Sequence, residues 1–176
     1  MMVTVTGGSG SGKSEYAENI LAELVNKTKE HNKLYYIATM KPYGEDAARC
    51  IERHHKLREG KGFITIECYN DIDNCILDSK SNVLLECMSN LAANEMFGET
   101  IKDKYYVCHK ICNGIDRLKK ITDNLVIVTN DIFAGGVVYD KSTMEYMELL
   151  GMVNQYLLKI SDRVVEVIYS CPLVII

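Results

Sequence analysis

The chain has 176 residues, of which 47% are hydrophobic and 25% are charged, values that suit one globular α/β domain with its own core. The net charge of −4, without a basic cluster, argues against nucleic acid as a partner. No apolar stretch approaches the roughly 20 residues of a membrane span.

Seven scattered cysteines, an odd number, disfavour a disulfide framework and predict a reducing, cytoplasmic setting. A strand that runs directly into a glycine-rich loop predicts no secretion signal.

The first motif along the chain is that glycine-rich loop. Residues 7–14 read Gly-Gly-Ser-Gly-Ser-Gly-Lys-Ser, between an apolar run and a helical pattern. This is the spacing of a phosphate-binding P-loop, in which backbone N–H groups and the positive end of a helix surround an anion. Lys13 is expected to reach the outer phosphates of a nucleoside triphosphate, and the Ser14 hydroxyl to bind Mg²⁺. A chance glycine turn is disfavoured because the loop, the lysine, the serine and the flanking elements agree.

Strand and helix patterns alternate along the rest of the chain. Short apolar runs, typical of strands covered on both faces, predict strands at 2–6, 33–38, 63–68, 82–86, 125–129, 164–169 and 173–176. Helical periodicity predicts helices at 14–29, 45–59, 88–97, 105–121 and 142–161. This order predicts a single domain, 1–176, with the three-layer α/β fold of P-loop NTPases (RecA-like) and a mostly parallel central sheet.

Acidic residues stand at the ends of two predicted strands. Glu86 ends the strand whose apolar run is 83–85, and Asp131 directly follows the run 126–130. P-loop enzymes use an acid at such a place to support Mg²⁺, although strand-end acids also simply face solvent. Glu86 is favoured because it is the last residue of its strand. A metal site at Cys108 and Cys112 is disfavoured, since no second ligand pair has a matching spacing.

The predicted helix 45–59 carries a pair of histidines. Helical spacing aligns one stripe of side chains: Ala47, Cys50, Ile51, His54 and Leu57. His54 therefore points toward the protein body, while His55 is rotated about 100° away. A histidine on such a stripe is more often a buried structural residue. Beside a nucleotide, however, a neutral imidazole can attack an α-phosphate and hold the nucleotidyl group as a phosphoramidate.

With these motifs in order, the chain resembles the bifunctional adenosylcobinamide kinase / adenosylcobinamide-phosphate guanylyltransferases of cobalamin biosynthesis. The resemblance runs nearly end to end, and its combination of motifs is much more specific than the P-loop alone. The matching segments are 1–8 with 11–14, Tyr36-Ile37-Ala38-Thr39, Ile51-x-x-His54 with Arg58, Thr65-Ile66-Glu67, Leu84-Leu85-Glu86-Cys87 with Asn90-Leu91, Val128-Thr129-Asn130 and Gly151-x-x-Asn154-Gln155.

The resemblance implies two reactions that need Mg²⁺. Adenosylcobinamide, a corrinoid, is phosphorylated on its aminopropanol hydroxyl with ATP or GTP. GMP is then transferred from GTP to that phosphate through a guanylyl-histidine, with release of pyrophosphate. The spacing from Ile51 and to Arg58 favours His54 as the modified residue, whereas the distance back from Glu67 favours His55. His54 ranks first because its stripe faces inward.

The resemblance also assigns nucleotide contacts and an assembly. The P-loop residues Gly7, Gly8, Ser9, Gly10, Ser11, Gly12, Lys13 and Ser14 would hold the phosphates. Ala38, Thr39 and Met40 would line the nucleotide pocket, with further contacts from Lys56, Arg58, Glu67 and Glu86. Ser14 and Glu86 would support the metal, and Lys13 would act in catalysis. The family implies a homotrimer with the histidine helix near a subunit boundary.

Three departures from the family pattern bear on these expectations. Gly10 replaces an arginine of the family's P-loop, which removes a positive charge near the phosphates. The stretch 131–139 and the segment 145–148 also differ from the family, in a region expected to hold the corrinoid or contact a neighbouring subunit. Two alternatives therefore stay open: a P-loop kinase of another small alcohol without nucleotidyl transfer, and a catalytically silent GTP-binding sensor.

Overall fold

The computed structural model describes residues 1–27, 33–133, 135–136 and 139–176. In chain order its elements are β1 (Met2–Thr6), α1 (Lys13–Lys27), β2 (Leu34–Ala38), α2 (Gly44–Arg58), β3 (Phe63–Glu67), a 3₁₀ turn (Ile72–Asn74), β4 (Ser81–Glu86), α3 (Met88–Met96), α4 (Lys104–Ile121), β5 (Thr122–Val128), α5 (Lys141–Ile160), β6 (Arg163–Ile168) and β7 (Cys171–Val174). The last two residues of the predicted helix 14–29 lie outside the described residues.

The seven strands form one sheet in the order β3-β2-β4-β5-β1-β6-β7. All neighbouring strands are parallel except the last pair, in which β7 runs antiparallel to β6. The register aligns Glu67, Ala38, Glu86 and Val128 across four adjacent strands. Their carboxyl ends therefore meet at one edge of the sheet, where α/β proteins bind ligands.

Two apolar layers enclose the sheet, because successive side chains of a strand point to opposite faces. On β5, Leu125 and Ile127 belong to an apolar cluster with residues of α3, α4 and α5, whereas Val126 and Val128 belong to a cluster with α1 on the other face. Burial of both faces explains why these strands are continuous apolar runs. The predicted three-layer P-loop NTPase fold with a mostly parallel sheet is confirmed.

Two strands differ from the predicted ranges by more than one residue at an end. β5 begins at Thr122, three residues early, because the buried Asn124 side chain donates a hydrogen bond of 2.8 Å to Asn82 Oδ1 on β4. This pairing satisfies the Asn124 amide N–H and the Asn82 amide oxygen, polar groups that would otherwise disfavour a buried strand. β7 begins at Cys171, two residues early, since Tyr169 and Ser170 both adopt positive φ, 48° and 63°. Two such residues form the tight turn of a β-hairpin.

No helix in the described parts of the chain is long and apolar enough to cross a bilayer. The longest, α5, spans 20 residues but carries polar and charged side chains along its length.

Candidate active site

The P-loop connects β1 to α1 at the carboxyl edge of the sheet. Gly10 and Gly12 have φ values of 71° and 90°, which glycine adopts without steric cost. At Gly12 a Cβ would stand 2.7 Å from Ser170 Oγ in the β6–β7 turn. The Ser170 N–H also donates to the Ser11 carbonyl at 2.8 Å. The C-terminal hairpin therefore supports the loop from behind and holds its backbone in position.

Lys13 folds back over this loop. Its ammonium donates to the Gly8 carbonyl at 2.9 Å, and the residue is only 8% exposed. Burial lowers the pKa of Lys13, while Cys87 and Glu86 act in the opposite direction. Because an ammonium has three donors, it can hold the loop and still donate to a phosphate.

Glu86 is the centre of the polar contacts at this edge. One of its carboxylate oxygens accepts a hydrogen bond from the Ser14 hydroxyl, and the other accepts from the Tyr36 hydroxyl at 3.0 Å. A serine hydroxyl and a carboxylate side by side are the hard oxygen ligands that Mg²⁺ prefers. Asp131, the less favoured acid, is instead exposed and accepts from the Phe133 N–H at 3.0 Å.

The two histidines differ in their surroundings as the helical stripe predicts. The His54 side chain is 12% exposed, and its Nδ1 lies 3.6 Å from Glu86 Oε2. That distance is too long for a hydrogen bond, and Nδ1 has no hydrogen-bond partner among the described residues. His55 is exposed, although it also borders the cleft. His54 is thus the histidine held next to Glu86.

Burial lowers the pKa of His54; Glu86 opposes this change, whereas the neighbouring Arg53 and Arg58 charges add to it. A lowered pKa means that the proton leaves at a lower pH, so the imidazole is neutral and nucleophilic at neutral pH.

If His54 is the nucleophile, we therefore expect the rate of protein labelling by GTP to be flat above about pH 7. The acid limb should have its midpoint below the usual histidine value of about 6.5. Rapid-quench labelling between about pH 5 and pH 8 measures this midpoint. A rate that still rises between about pH 7 and pH 8 would contradict the assignment.

A stacked arginine joins α2 to β2. The Arg58 guanidinium carbon lies 3.4 Å from the centre of the Tyr36 ring, and Arg58 is buried. Cation–π contact of this kind fixes the guanidinium plane. Its Nη1 has no hydrogen-bond partner among the described residues, so it is a donor that an anionic ligand can use. Tyr36 therefore contacts both Arg58, through its ring, and Glu86, through its hydroxyl.

These groups surround a cleft of about 460 Å³. Most residues predicted for the site border it: 9–14, Ala38, Met40, His54, His55, Arg58, Glu67 and Glu86. Thr39 is fully buried below the cleft, where its hydroxyl bonds the Cys87 backbone N–H and carbonyl, both at 2.8 Å, and ties β2 to β4. Lys56 points away and pairs with Glu52 at 2.8 Å. Gly7 and Gly8 form the base of the loop.

Sequence reasoning did not assign several residues that border this cleft, among them Tyr36, Arg53, Thr65, Tyr69, Asn90 and Asn130. Asn130 donates to Ser89 Oγ at 2.5 Å, and Tyr69 donates to Glu67 at 2.8 Å. For Asn90 and Asn130 the available signal was position, since they follow shortly after the ends of β4 and β5. Tyr36 and Thr65 had no such signal because they lie in the middle of β2 and β3.

Comparison with known proteins decides the family. The family model described as cobinamide kinase / cobinamide phosphate guanyltransferase (CobU) matches residues 3–175. This chain belongs to the cobinamide kinase / cobinamide phosphate guanyltransferase family. Two curated relatives, the bifunctional adenosylcobalamin biosynthesis proteins CobU of Escherichia coli K12 and Salmonella typhimurium LT2, are each 28% identical to it over 177 residues. Each alignment covers 93% of this chain and 93% of the relative.

Family membership confirms the resemblance identified from the sequence motifs. The chain is therefore a kinase and guanylyltransferase of cobalamin biosynthesis. The cleft carries groups suited to both activities, a P-loop lysine for phosphates and a neutral histidine for covalent catalysis.

Proposed function

We propose that the chain phosphorylates adenosylcobinamide and then transfers GMP from GTP to the new phosphate, with His54 as the covalent carrier. The observation that carries this proposal is the position of His54, partly buried and 3.6 Å from a carboxylate that also contacts the P-loop serine. A nucleotide bound by the P-loop is thereby placed beside an uncharged nucleophile.

The transfer consists of two displacements. A ring nitrogen of His54 attacks the α-phosphorus of GTP, the bond to the bridging oxygen breaks, and pyrophosphate leaves. A phosphate oxygen of adenosylcobinamide phosphate then attacks the same phosphorus, the P–N bond breaks, and neutral His54 is restored. Lys13 and the loop N–H groups hold the phosphates, and Arg58 donates to the charge that develops at phosphorus.

In the kinase reaction the acceptor hydroxyl attacks the γ-phosphorus of ATP or GTP, its proton passes to solvent, and the nucleoside diphosphate leaves. The same cleft would serve both reactions, with Lys13 on the outer phosphates. The Ser14 hydroxyl and the Glu86 carboxylate fit Mg²⁺ by their donor chemistry, and the ion would supply charge neutralisation on the phosphates. Gly10 stands where the family has a P-loop arginine. Arg53 borders the cleft and supplies positive charge there in its place.

The remaining proposals concern setting and assembly. We infer a cytoplasmic location from seven cysteines that are all free thiols. A homotrimer is proposed on family grounds, supported by the exposed apolar side chains of the edge strand β7 and the residues after it. Light scattering on the purified protein would measure the mass of the assembly directly.

Covalent labelling tests the proposed function. Protein incubated with Mg²⁺ and GTP carrying a radioactive α-phosphate should acquire acid-labile, base-stable label, and adenosylcobinamide phosphate should then remove it. GTP labelled at the γ-phosphate should leave no label on the protein. If nucleotide binds but no α-label appears, guanylyl transfer is ruled out. The chain is then a kinase only, or a silent sensor if substrate-dependent loss of the γ-phosphate is also absent.

A further inference from the structure

A second cleft, of about 630 Å³, adjoins the nucleotide cleft. It lies between the loop after β2, the first half of α2 and the helix α3. Met40, Cys50 and Asn90 border both clefts, so the two are continuous. Neither the P-loop nor the histidines reach this second cleft. It is therefore a separate compartment that opens toward the site of chemistry.

The wall of the second cleft is mostly apolar, with amides and one cation. Tyr43 is 88% exposed and Phe97 is 40% exposed, and both border it. Large exposed aromatic side chains are typical of ligand or partner sites. Asn90, Asn94 and Lys41 supply the polar groups. This combination suits a large apolar ligand that carries amide substituents and a negative charge.

Part of this wall is held in place by bonds within the protein. The Asn94 amide donates to the Thr39 carbonyl at 2.8 Å and to the Tyr69 carbonyl at 3.1 Å. The Phe97 ring packs against Tyr146 with ring centres 6.2 Å apart. α3 and the loop after β2 are thus fixed to each other. A cleft with such a pre-formed wall loses little entropy when it binds a ligand.

Helix α2 connects the two clefts. Ala47 and Cys50 border the second cleft, and Cys50 and His54 border the first. Ala47 and His54 are seven positions apart on the helix, a rise of about 10 Å. A ligand whose bulk occupies the second cleft could therefore extend one flexible arm along this face to the nucleotide phosphates.

We propose that the second cleft binds the corrin ring of adenosylcobinamide and of its phosphate. This inference rests on the proposed function. The corrin is a large apolar macrocycle with amide side chains, and its aminopropanol arm carries the reacting group. The apolar and amide wall matches the ring, the helix face leads the arm to His54, and Lys41 attracts the phosphorylated arm.

The test separates acceptor binding from the chemistry on GTP. In Tyr43→Ala, and in Phe97→Ala, we expect the KM for adenosylcobinamide phosphate to rise by about 10-fold to 100-fold, since buried aromatic contact is lost. The rate of histidine labelling by GTP alone should stay unchanged, because that half-reaction needs no acceptor. Tyr105→Ala, an equally drastic change at an exposed tyrosine of α4 outside both clefts, is the matched control and should change neither value.

A second experiment tests the positive charge of Lys41. Lys41→Gln should raise the KM for the phosphorylated acceptor more than the KM for unphosphorylated adenosylcobinamide. The Tyr43 side chain is exposed, so its removal should leave the fold intact. An unchanged acceptor KM in Tyr43→Ala would overturn the proposal. A change in assembly mass with an unchanged KM would overturn it too and identify the cleft as a subunit contact. Absence of label in the wild type would instead refute the proposed function itself.

Discussion

Substitution of His54 by alanine is expected to abolish the α-phosphate label and guanylyl transfer, with a loss of at least about 10⁴-fold, because no other group can replace a covalent nucleophile. Phosphorylation of adenosylcobinamide should persist, within about tenfold of wild type, since the P-loop, Lys13 and Glu86 are untouched. The measurement is the rate of each reaction, followed with α-labelled and γ-labelled GTP on the same preparation.

His55→Ala is the matched control for this experiment. His55 lies on the same helix, one residue further, but its side chain is exposed and lacks the contact with Glu86. We expect its label and both rates to stay near wild type. Label that disappears in His55→Ala and remains in His54→Ala would show that His55 is the carrier, and would contradict the assignment made from burial.

Glu86→Gln is expected to reduce both reactions, by about 100-fold to 1,000-fold, which corresponds to about 3–4 kcal/mol of transition-state stabilisation. The amide keeps the size of the side chain but loses the charge that faces Ser14 and the proposed Mg²⁺ position. Rates measured over a range of Mg²⁺ concentrations should show that more metal is needed for half-maximal activity. A rate that falls without any change in metal dependence would contradict the metal role of Glu86.

Two further substitutions serve as controls for Glu86. Tyr36→Phe removes the 3.0 Å hydrogen bond to Glu86 but leaves the ring below Arg58, so a loss of about tenfold is expected. Asp131→Asn removes the charge of the other strand-end acid, which is exposed and bonded within its own turn. It should leave the Mg²⁺ dependence of both rates unchanged.

Three elements of the protein meet at the Glu86 carboxylate. Ser14 lies in the first turn of α1, Tyr36 lies on β2, and His54 lies on α2, yet all three contact or approach one carboxylate. Movement of this carboxylate would change the phosphate site and the nucleophile together. For this reason we expect Glu86 variants to impair both reactions, whereas His54 variants separate them.

The sequence by itself determined the local features of this protein. The P-loop follows from residues 7–14, because the loop conformation depends on glycines and a lysine at short spacing. The strands and helices follow from hydrophobic periodicity, and their alternation determines a parallel sheet with helices on both faces. The inward direction of His54 also follows from its helical stripe, since burial of one face is a property of the helix alone.

Only the tertiary structure decided the contacts between distant segments. Ser14 and Glu86 are 72 residues apart, and Tyr36 and Glu86 are 50 apart. Strand order and register bring them together, and hydrophobic periodicity specifies neither. The same reason explains why Thr39 became a buried tie between strands rather than a wall of the cleft. It also explains why the second cleft, which lies between α2 and α3, had no signature in the sequence.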